Sequence, residues 1–335
     1  MKMDMKKWVS ETIASPKKKA MPILSFPGIQ MTGHTVEELV KDGKLQALCM
    51  EKIANRFPAG AAFSLMDLSV EAEAFGSAVR YSQNEVPTVT EILIHNEAEA
   101  EALQIPMVGQ GRTEECLKGI EEACDKITDR PVLAGMIGPY SLAGRLLGMT
   151  EIMILCYEEP ELVECVLRKA TQFLVAYGRA FREMGANGIV LAEPAAGLLS
   201  PGLCRKFSTP YVCKIKEELR DQNFLFMYHN CGNVIPLLED LAEIGADAYS
   251  LGNAVDIKQV LENIPGEYIV AGNLDPAGIL RSGTPESIRE ETLKLLEQCG
   301  IYHNFVISSG CDIPPMTPLD NIQAFFGAVD EFYGQ

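Results

Sequence analysis

The sequence is poor in positive charge and has no long apolar segment. Its 29 lysine and arginine residues are outnumbered by 46 aspartate and glutamate residues, which leaves a formal net charge of −17. Because an acidic surface repels phosphate backbones, we expect no nucleic-acid partner. No stretch approaches the roughly 20 apolar residues that cross a bilayer, so we expect no membrane-spanning segment. Residues 1–20 are basic in places but lack the apolar core of a signal peptide, and we expect a cytoplasmic protein.

Histidine is also rare, with four residues in 335. Cysteine is more frequent, but its ten residues are scattered and most lie in helix-like apolar patterns. In a reducing compartment such cysteines act as small buried hydrophobic residues, which argues against a disulfide framework. The stretch FLFMYHNCGN (224–233) differs, because His229 and Cys231 stand two positions apart at the end of an apolar run. This composition gives about 0.12 His-x-Cys pairs by chance, so the pair is suggestive of a site.

Short apolar runs recur along the chain, each ending close to a glycine, a proline or a polar residue. The eight runs span residues 21–28, 61–67, 132–139, 188–194, 224–231, 248–253, 268–274 and 305–311. Their apolarity is continuous rather than alternating, which is typical of parallel strands buried on both faces. Helix-length amphipathic segments such as 160–185, 234–245 and 284–300 lie between the runs.

The eight strand–helix repeats predict an α/β fold, a single (β/α)₈ barrel of the TIM type. We assign residues 1–20 to a short helical N-terminal extension and residues 21–335 to the barrel, which is the catalytic domain. The long stretch 87–131 is expected to hold extra helices. The alternative is a doubly wound open sheet, usually of about five or six strands in a domain, and the number of repeats favours the barrel.

Polar side chains follow several of the predicted strands. In a (β/α)₈ barrel the active site lies at the carboxyl ends of the strands. The residues found at these ends are Asp67, Tyr140, Glu193, His229, Cys231, Asn253 and Cys311. A hydrophobic core has no need of such groups, so we expect a functional site at this rim.

Three of these residues suit a metal ion. His229 and Cys231 lie two positions apart on a strand and therefore face the same side. Cys311 ends the eighth run as Cys231 ends the fifth, and a closed barrel brings both ends to one mouth. One imidazole and two thiolates leave one position of a zinc tetrahedron open, as in catalytic zinc sites. The spacing does not fit a zinc ribbon. The alternative, a core histidine near two unrelated buried cysteines, stays open on spacing alone.

Longer motifs resemble a known family. The chain is similar to the uroporphyrinogen decarboxylase superfamily, and within it to the methylcobamide:coenzyme M methyltransferase branch, over most of its length. The segments that carry the resemblance are AAFSLMDLSVEAEAFG, MIGPYSLAGRLLG, EPAAGLLSP, YHNCGNVIPLLEDLAEIGADAYSLG, VAGNLDPAGILRSGTPESI and ISSGCDIPPMTPLDNIQAF. The resemblance also implies a (β/α)₈ barrel, in agreement with the number of strands.

Two motifs separate the branches of this superfamily. The decarboxylases carry an Arg-Gln-Ala-Gly-Arg segment after the first strand, whose arginines bind the carboxylates of the tetrapyrrole. Here the corresponding segment reads FPGIQMTGHT (26–35) and has no arginine. The decarboxylase motif Gly-His-Gly near the last strand is replaced by SGC (309–311). Both differences favour the methyltransferase branch.

The resemblance implies roles for individual residues. The methyltransferase branch binds zinc through a His-x-Cys pair and a distant cysteine, which match His229, Cys231 and Cys311. Asp67 matches a catalytic aspartate of the decarboxylases, and its presence keeps a decarboxylase function open. We expect it to assist catalysis or to orient the substrate.

The remaining rim residues have weaker support. Glu193 is expected to be a catalytic residue, either as a weak fourth zinc ligand or as a hydrogen-bond partner of His229; the alternative is that it holds the LAEPAAG turn. Tyr140 and Asn253 are expected to bind the cofactor or substrate as hydrogen-bond donors.

The function implied is a zinc-dependent methyltransferase. It would move a methyl group from a methylated corrinoid, carried by a partner protein, to a small thiol such as coenzyme M. A free thiol has a pKa of about 8.5, and zinc deprotonates a thiol that binds to it. Two other functions stay open. One is a cofactor-free decarboxylase similar to uroporphyrinogen decarboxylase, and the other is a non-catalytic subunit of a corrinoid complex.

Overall fold

The computed structural model describes residues 3–334. Its strands are β1 (Ala62–Phe63), β2 (Val79–Arg80), β3 (Thr88–Val89), β4 (Val132–Ile137), β5 (Gly188–Ala192), β6 (Leu225–Asn230), β7 (Ala248–Leu251), β8 (Ile269–Leu274) and β9 (Phe305–Ser309). Seven of them form one parallel sheet in the order β1-β4-β5-β6-β7-β8-β9, and β2 and β3 form an antiparallel hairpin. Neighbours in the sheet therefore follow chain order, with helices between them. The predicted TIM-type fold is confirmed.

Helices connect the strands and cover the outside of the sheet. The α-helices α1 to α16 are Met5–Ala14, Ile29–Thr32, Val36–Lys41, Gly43–Arg56, Val70–Ala74, Glu97–Ala102, Thr113–Lys126, Pro139–Leu147, Met149–Glu158, Pro160–Glu183, Pro201–Phe207, Thr209–Leu219, Leu238–Ile244, Ile257–Leu261, Pro285–Cys299 and Leu319–Gly334. Short 3₁₀ helices span Phe26–Gly28, Pro194–Leu198 and Ile235–Leu237, and a π-helix spans Pro276–Arg281. The stretch 87–131 holds α6 and α7, as predicted.

The first predicted strand, residues 21–28, is an extended segment followed by a 3₁₀ helix. The Met21 N–H donates to the Ile307 carbonyl of β9 (3.0 Å), and the Gly60 N–H donates to the Ala20 carbonyl (2.8 Å). The segment therefore bridges β9 and the chain leading into β1, where an eighth strand would lie. It is not a regular strand, because Pro22 has no N–H and the Ile23 N–H donates to the Ser309 hydroxyl (3.0 Å) rather than to a backbone carbonyl.

Side chains that alternate along the strands fill the interior of the barrel. One buried cluster contains Leu133, Val190, Leu225, Met227, Ala248, Ile269, Ala271 and Val306, together with Met21, Ile23, Ala61 and Phe63 from the first segments. Because successive strand residues point to opposite faces, the side chains two positions further along β6 and β7, His229 and Ser250, face the same interior. The two-residue period of the strands therefore places polar side chains in the interior at the carboxyl end of the barrel.

Helix α1 closes the opposite end. Its residues Met5 and Val9 are buried in the interior cluster. The Asp4 carboxylate caps the helix by accepting from the Lys7 N–H (2.9 Å). At the other end of the helix, the Lys18 ammonium donates to three backbone carbonyls, 3.0 Å each, near its last turn. The helix therefore packs as part of the barrel core.

Two further predictions concern the chain as a whole. The division into an extension (1–20) and a barrel domain (21–335) stays a prediction, and its outermost residues, 1–2 and 335, lie outside the described residues. Within residues 3–334, none of the helices combines the length and the apolar character that crossing a membrane requires. The cytoplasmic location stays a prediction.

Candidate metal centre at the barrel mouth

His229, Cys231 and Cys311 meet at the carboxyl end of the barrel. A ring nitrogen of His229 and the two cysteine sulfurs all lie within 4.8 Å of one another. His229 belongs to β6 and is 2% exposed, Cys231 follows β6 directly, and Cys311 lies two residues beyond β9. The three residues predicted from the sequence to share a site are therefore neighbours in space, although β7 and β8 separate their strands.

Glycines let these strand ends approach one another. A Cβ on Gly252, just after β7, would lie 2.5 Å from the Cys231 Cα, and a Cβ on Gly310 would lie 2.7 Å from the Asn253 nitrogen. Both distances are shorter than packed atoms allow, so only glycine fits at these two positions. The amide of Asn273 holds the intervening loop by donating to the Gly252 carbonyl (3.0 Å). The loop after β7 therefore lies between the two cysteine-bearing loops.

Contacts on the neighbouring strand orient His229. Its Nδ1 lies 3.1 Å from the Ser250 carbonyl oxygen and 3.0 Å from the Ser250 hydroxyl oxygen. Ser250 is fully buried and is the registered partner of His229 in the β6–β7 pair. Ser250 is a site residue that the sequence did not predict. The sequence feature that could have identified it is a polar residue at an inward-facing position of the apolar run AYSLGN.

The two thiols differ in acidity. Hydrogen bonding by the Cys311 thiol, and then by His229, lowers the pKa of Cys231 to about 4. The Cys231 thiolate that results raises the pKa of Cys311 well above its ordinary range. Two thiolates this close repel each other. A dication placed among them would offset this repulsion, since it stabilises both thiolates at once. An imidazole and two converging cysteine sulfurs are also the donor types that zinc prefers, so these residues fit the ion.

Asp312, which follows Cys311, was not named from the sequence. Burial raises the pKa of its carboxyl group to about 8. Ser25 donates a long hydrogen bond (3.4 Å) to Oδ2, and within residues 3–334 Oδ1 has no hydrogen-bond partner. Burial therefore favours the neutral form of Asp312, directly beside Cys311.

Glu193 is fully buried at the end of β5, but its carboxylate contacts helix α8 rather than His229. It accepts from the backbone N–H groups of Tyr140 (2.9 Å) and Ser141 (2.6 Å), and from the Ser141 hydroxyl. These are unpaired donors of the first turn of α8, and a carboxylate there also suits the helix dipole. Burial raises the pKa of Glu193 to about 7. The expected hydrogen bond to His229 is therefore replaced by Ser250, and the catalytic role of Glu193 stays a prediction.

Asp67 is buried beside Arg112, a residue that the sequence did not predict at the site. One carboxylate oxygen accepts from the Ser69 N–H (3.0 Å) and the Ser69 hydroxyl (2.6 Å), and the other pairs with the Arg112 guanidinium. Arg112 also donates to Glu73 and is 6% exposed. Both carboxylate oxygens of Asp67 are thus engaged within the protein, and its catalytic role stays a prediction.

Tyr140 and Asn253 have different surroundings. The Tyr140 side chain is fully buried, with its hydroxyl 3.7 Å from the Cys156 sulfur. It does not reach the rim as expected, because its place in the first turn of α8 directs it into the core; only its N–H is used, by Glu193. Asn253 is exposed at the mouth, in contact with Gly310. Of these two residues, Asn253 is the one that lies beside the metal centre.

Comparison with known proteins gives the chain a family. A family model described as uroporphyrinogen decarboxylase (URO-D) matches residues 6–332. The methylcobamide:CoM methyltransferase MtbA from Methanosarcina acetivorans is 32% identical over 77% of this chain and 75% of its own length. A uroporphyrinogen decarboxylase from Coxiella burnetii is 30% identical over 88% of this chain and 82% of its own. A solved methyltransferase from Methanosarcina mazei superposes with a TM-score of 0.87 at 27% identity, covering 99% of both chains.

These matches confirm the resemblance that the sequence motifs indicated. The chain belongs to the uroporphyrinogen decarboxylase family.

Proposed function

We propose that this protein transfers a methyl group from a methylated corrinoid, carried by a partner protein, to a small thiol such as coenzyme M. The observation that carries the proposal is the convergence of His229, Cys231 and Cys311 at the barrel mouth. The similarity to MtbA and to the Methanosarcina mazei methyltransferase supports it. In the reaction a carbon–sulfur bond forms and the cobalt–carbon bond breaks. Its electron pair stays on the cobalt, and the thiol proton is released.

His229, Cys231 and Cys311 would hold a zinc ion and leave one position open for the thiol. Bound there, zinc lowers the pKa of a thiol and so supplies a thiolate nucleophile near neutral pH. The chain contributes two anionic ligands, which offset the charge of the ion and leave electron density on the incoming sulfur. The 2% exposure of His229 keeps water from competing for its ring nitrogen.

The barrel mouth also offers apolar side chains to a partner. Leu198 is 61% exposed and follows Gly197, which packs against Gly232 next to Cys231. Met316 is 46% exposed, five residues beyond Cys311. The Gln30 amide holds the loop on both sides of Met316, because it donates to the carbonyls of residues 315 and 317 (2.8 Å each). A corrinoid-bearing protein that brings its methyl group to the site would bury both side chains.

A decarboxylase function has less support from the site. The aspartate that matches the catalytic residue of the decarboxylases, Asp67, is engaged by Arg112 and Ser69. The segment 26–35, where the decarboxylases carry their substrate-binding arginines, contains none. The non-catalytic alternative would bind the same metal without turnover, so the assay below separates it from the proposal.

The test begins with the metal content of the purified protein. We expect about one zinc per chain in the wild type, loss of the zinc in Cys311→Ala, and full retention in Cys299→Ala. Cys299 is a matched control, since it is a buried free cysteine at the end of α15. The wild type should then demethylate methylcobalamin in the presence of a thiol, which is followed by the absorbance change of the corrinoid. Metal-free protein that added zinc does not reconstitute would refute the zinc centre. Zinc-loaded protein that transfers no methyl group, either from methylcobalamin or from a methylated corrinoid protein, would favour the non-catalytic alternative.

A further inference from the structure

Residues on both neighbouring strands hold His229, one through its backbone and the other through its ring. On the β5 side, the Glu193 N–H donates to the His229 carbonyl (2.8 Å) and fixes the backbone. On the β7 side, Ser250 contacts the ring itself, with its carbonyl oxygen 3.1 Å and its hydroxyl oxygen 3.0 Å from Nδ1. His229 is 2% exposed and Ser250 is fully buried, so water does not replace these contacts.

The carbonyl group decides which ring nitrogen carries a proton. A carbonyl oxygen only accepts hydrogen bonds, whereas a serine hydroxyl either donates or accepts. If Nδ1 carried a lone pair, that lone pair would face the Ser250 carbonyl oxygen at 3.1 Å in a buried site, which is repulsive. With a proton on Nδ1, both Ser250 oxygens accept from it. The contacts therefore require the Nδ1–H form.

The same contacts direct the other nitrogen of His229. One ring nitrogen of His229 lies within 4.8 Å of both cysteine sulfurs. Since Nδ1 is engaged by Ser250, we assign that nitrogen to Nε2. A metal ion at this place displaces any proton on Nε2 and leaves the neutral Nδ1–H form, in which Nε2 has the lone pair that a metal ligand needs. Hydrogen bonding at the distal nitrogen also raises the basicity of the ligating nitrogen.

The Ser250 hydroxyl has no hydrogen-bond partner other than His229 among the described residues. The residue is nevertheless fully buried, in a strand whose other inward side chain is Ala248. A buried hydroxyl costs free energy unless it is paired, so an alanine would suit this position unless the hydroxyl served His229. Removing it leaves no other group of the protein without a partner, and Ser250→Ala should therefore fold.

We propose that Ser250 is a positioning residue, whose two oxygens hold His229 in the Nδ1–H form with Nε2 directed at Cys231 and Cys311. The inference deepens the proposed function and rests on the metal centre described there. Ser250 itself touches neither the ion nor the substrates. Its hydroxyl acts by restricting the ring orientation, and its carbonyl acts by selecting the protonated nitrogen.

The test compares zinc affinity in three variants by competition with a chromophoric chelator. Ser250→Ala should bind zinc about tenfold more weakly than the wild type, the lower end of the range for such outer contacts. Ser250→Thr, which keeps a hydroxyl, should recover most of the loss. Ser308→Ala is the matched control, because it removes a buried strand hydroxyl that donates to the Met21 carbonyl (2.8 Å) and not to His229. Its zinc affinity should equal that of the wild type.

Nitrogen-15 NMR of the imidazoles in the wild type gives a second readout, which depends neither on activity nor on the folding of the Ser250 variants. With four histidines in the chain, a His229→Gln spectrum assigns the signals. We expect Nδ1 of His229 to carry a proton in both the metal-free and the zinc-loaded wild type. An unprotonated Nδ1 in either state would overturn the inference.

The outcomes separate this inference from the proposed function. Wild-type protein that binds no zinc contradicts the metal centre itself and, with it, the inference. If the wild type binds zinc no more tightly than Ser250→Ala, the metal centre stands and the role of the Ser250 hydroxyl is refuted; the role of the carbonyl, which alanine keeps, is decided by the NMR result. A loss of folding stability in Ser250→Ala with unchanged zinc affinity would likewise assign the serine a purely structural role.

Discussion

Asp67 and Arg112 form a buried ion pair between the end of β1 and the start of α7, 45 positions apart in the chain. The arginine side chain is 7% exposed and the aspartate side chain is 2% exposed. Arg112 also donates to Glu73 and to the Ser69 hydroxyl (2.8 Å), so its guanidinium is enclosed by acceptors. The pair joins the long 87–131 insertion to the barrel rim. Arg112 and Ser69 also occupy both carboxylate oxygens of Asp67, which a decarboxylase would need free for catalysis.

Replacing Arg112 should therefore cost much folding stability. In Arg112→Met, the Asp67 carboxylate would remain buried without a counter-ion, and we expect a loss of about 3–5 kcal/mol in the free energy of unfolding. Urea denaturation measures this value. Arg179→Met is the control, since Arg179 pairs with Glu218 at an exposed site, both about half exposed, and should cost less than about 1 kcal/mol. Equal small losses in the two variants would show that the buried pair is not a structural link.

Glu71 should make stability depend on pH. It is 2% exposed, accepts from the Ile137 N–H (3.0 Å), and burial raises its pKa to about 7 from 4.5. Because the folded state favours the neutral acid, its contribution is fully present below pH 4.5 and is lost as the pH rises to about 7. Stability should fall over this window by up to about 1.4 kcal/mol per pH unit for this group.

The matched variants for this dependence are Glu71→Gln and Glu217→Gln. Glutamine at position 71 keeps an acceptor for the Ile137 N–H but does not ionise, so denaturation curves from pH 5 to pH 8 should show a weaker slope. Glu217 is 70% exposed, and its replacement should leave the slope of the wild type. If Glu71→Gln keeps the full slope as well, ionisation of Glu71 is not its source.

Substitution of Glu193 distinguishes a structural role of this residue from a role at the metal ion. Its carboxylate accepts from two N–H groups at the start of α8, and glutamine offers only one acceptor oxygen. We expect Glu193→Gln to lose about 1–3 kcal/mol of folding stability, since a buried donor is left unpaired. Zinc content and zinc affinity should match the wild type. A fall in zinc affinity of tenfold or more, with the fold intact, would instead support the fourth ligand expected from the sequence.

The strand ends were the part of the site that the sequence predicted well. Parallel strands with continuous apolar runs place their carboxyl ends on one rim, and the two-residue period puts His229 and Cys231 on one side. These rules are local and needed no knowledge of packing. They located Cys311 equally well, because it occupies the same position after its own run.

Residues whose role depends on packing between elements were missed. Ser250 reads as an ordinary strand residue until its register with His229 is known. Arg112 lies in the long insertion, and no local pattern places that insertion against Asp67. The first run is not a regular strand for two reasons. Pro22 has no N–H, which the sequence shows, and the hydroxyls of Ser308 and Ser309 replace backbone partners, which the run's own sequence does not encode.

The docking surface proposed for the corrinoid protein can be tested at Leu198 and Met316. Both are exposed apolar side chains beside the metal-ligand loops, and replacing both with glutamine removes apolar area without adding charge. If a partner buries them, KM for a methylated corrinoid protein should rise about tenfold, which corresponds to about 1.4 kcal/mol. The rate with free methylcobalamin should stay the same, since a free cofactor has no partner surface to lose. Ile301→Gln is the control, because Ile301 is 80% exposed but precedes β9 at the opposite end of the barrel. A doubly substituted protein that uses both donors as well as the wild type would exclude this face as the docking surface.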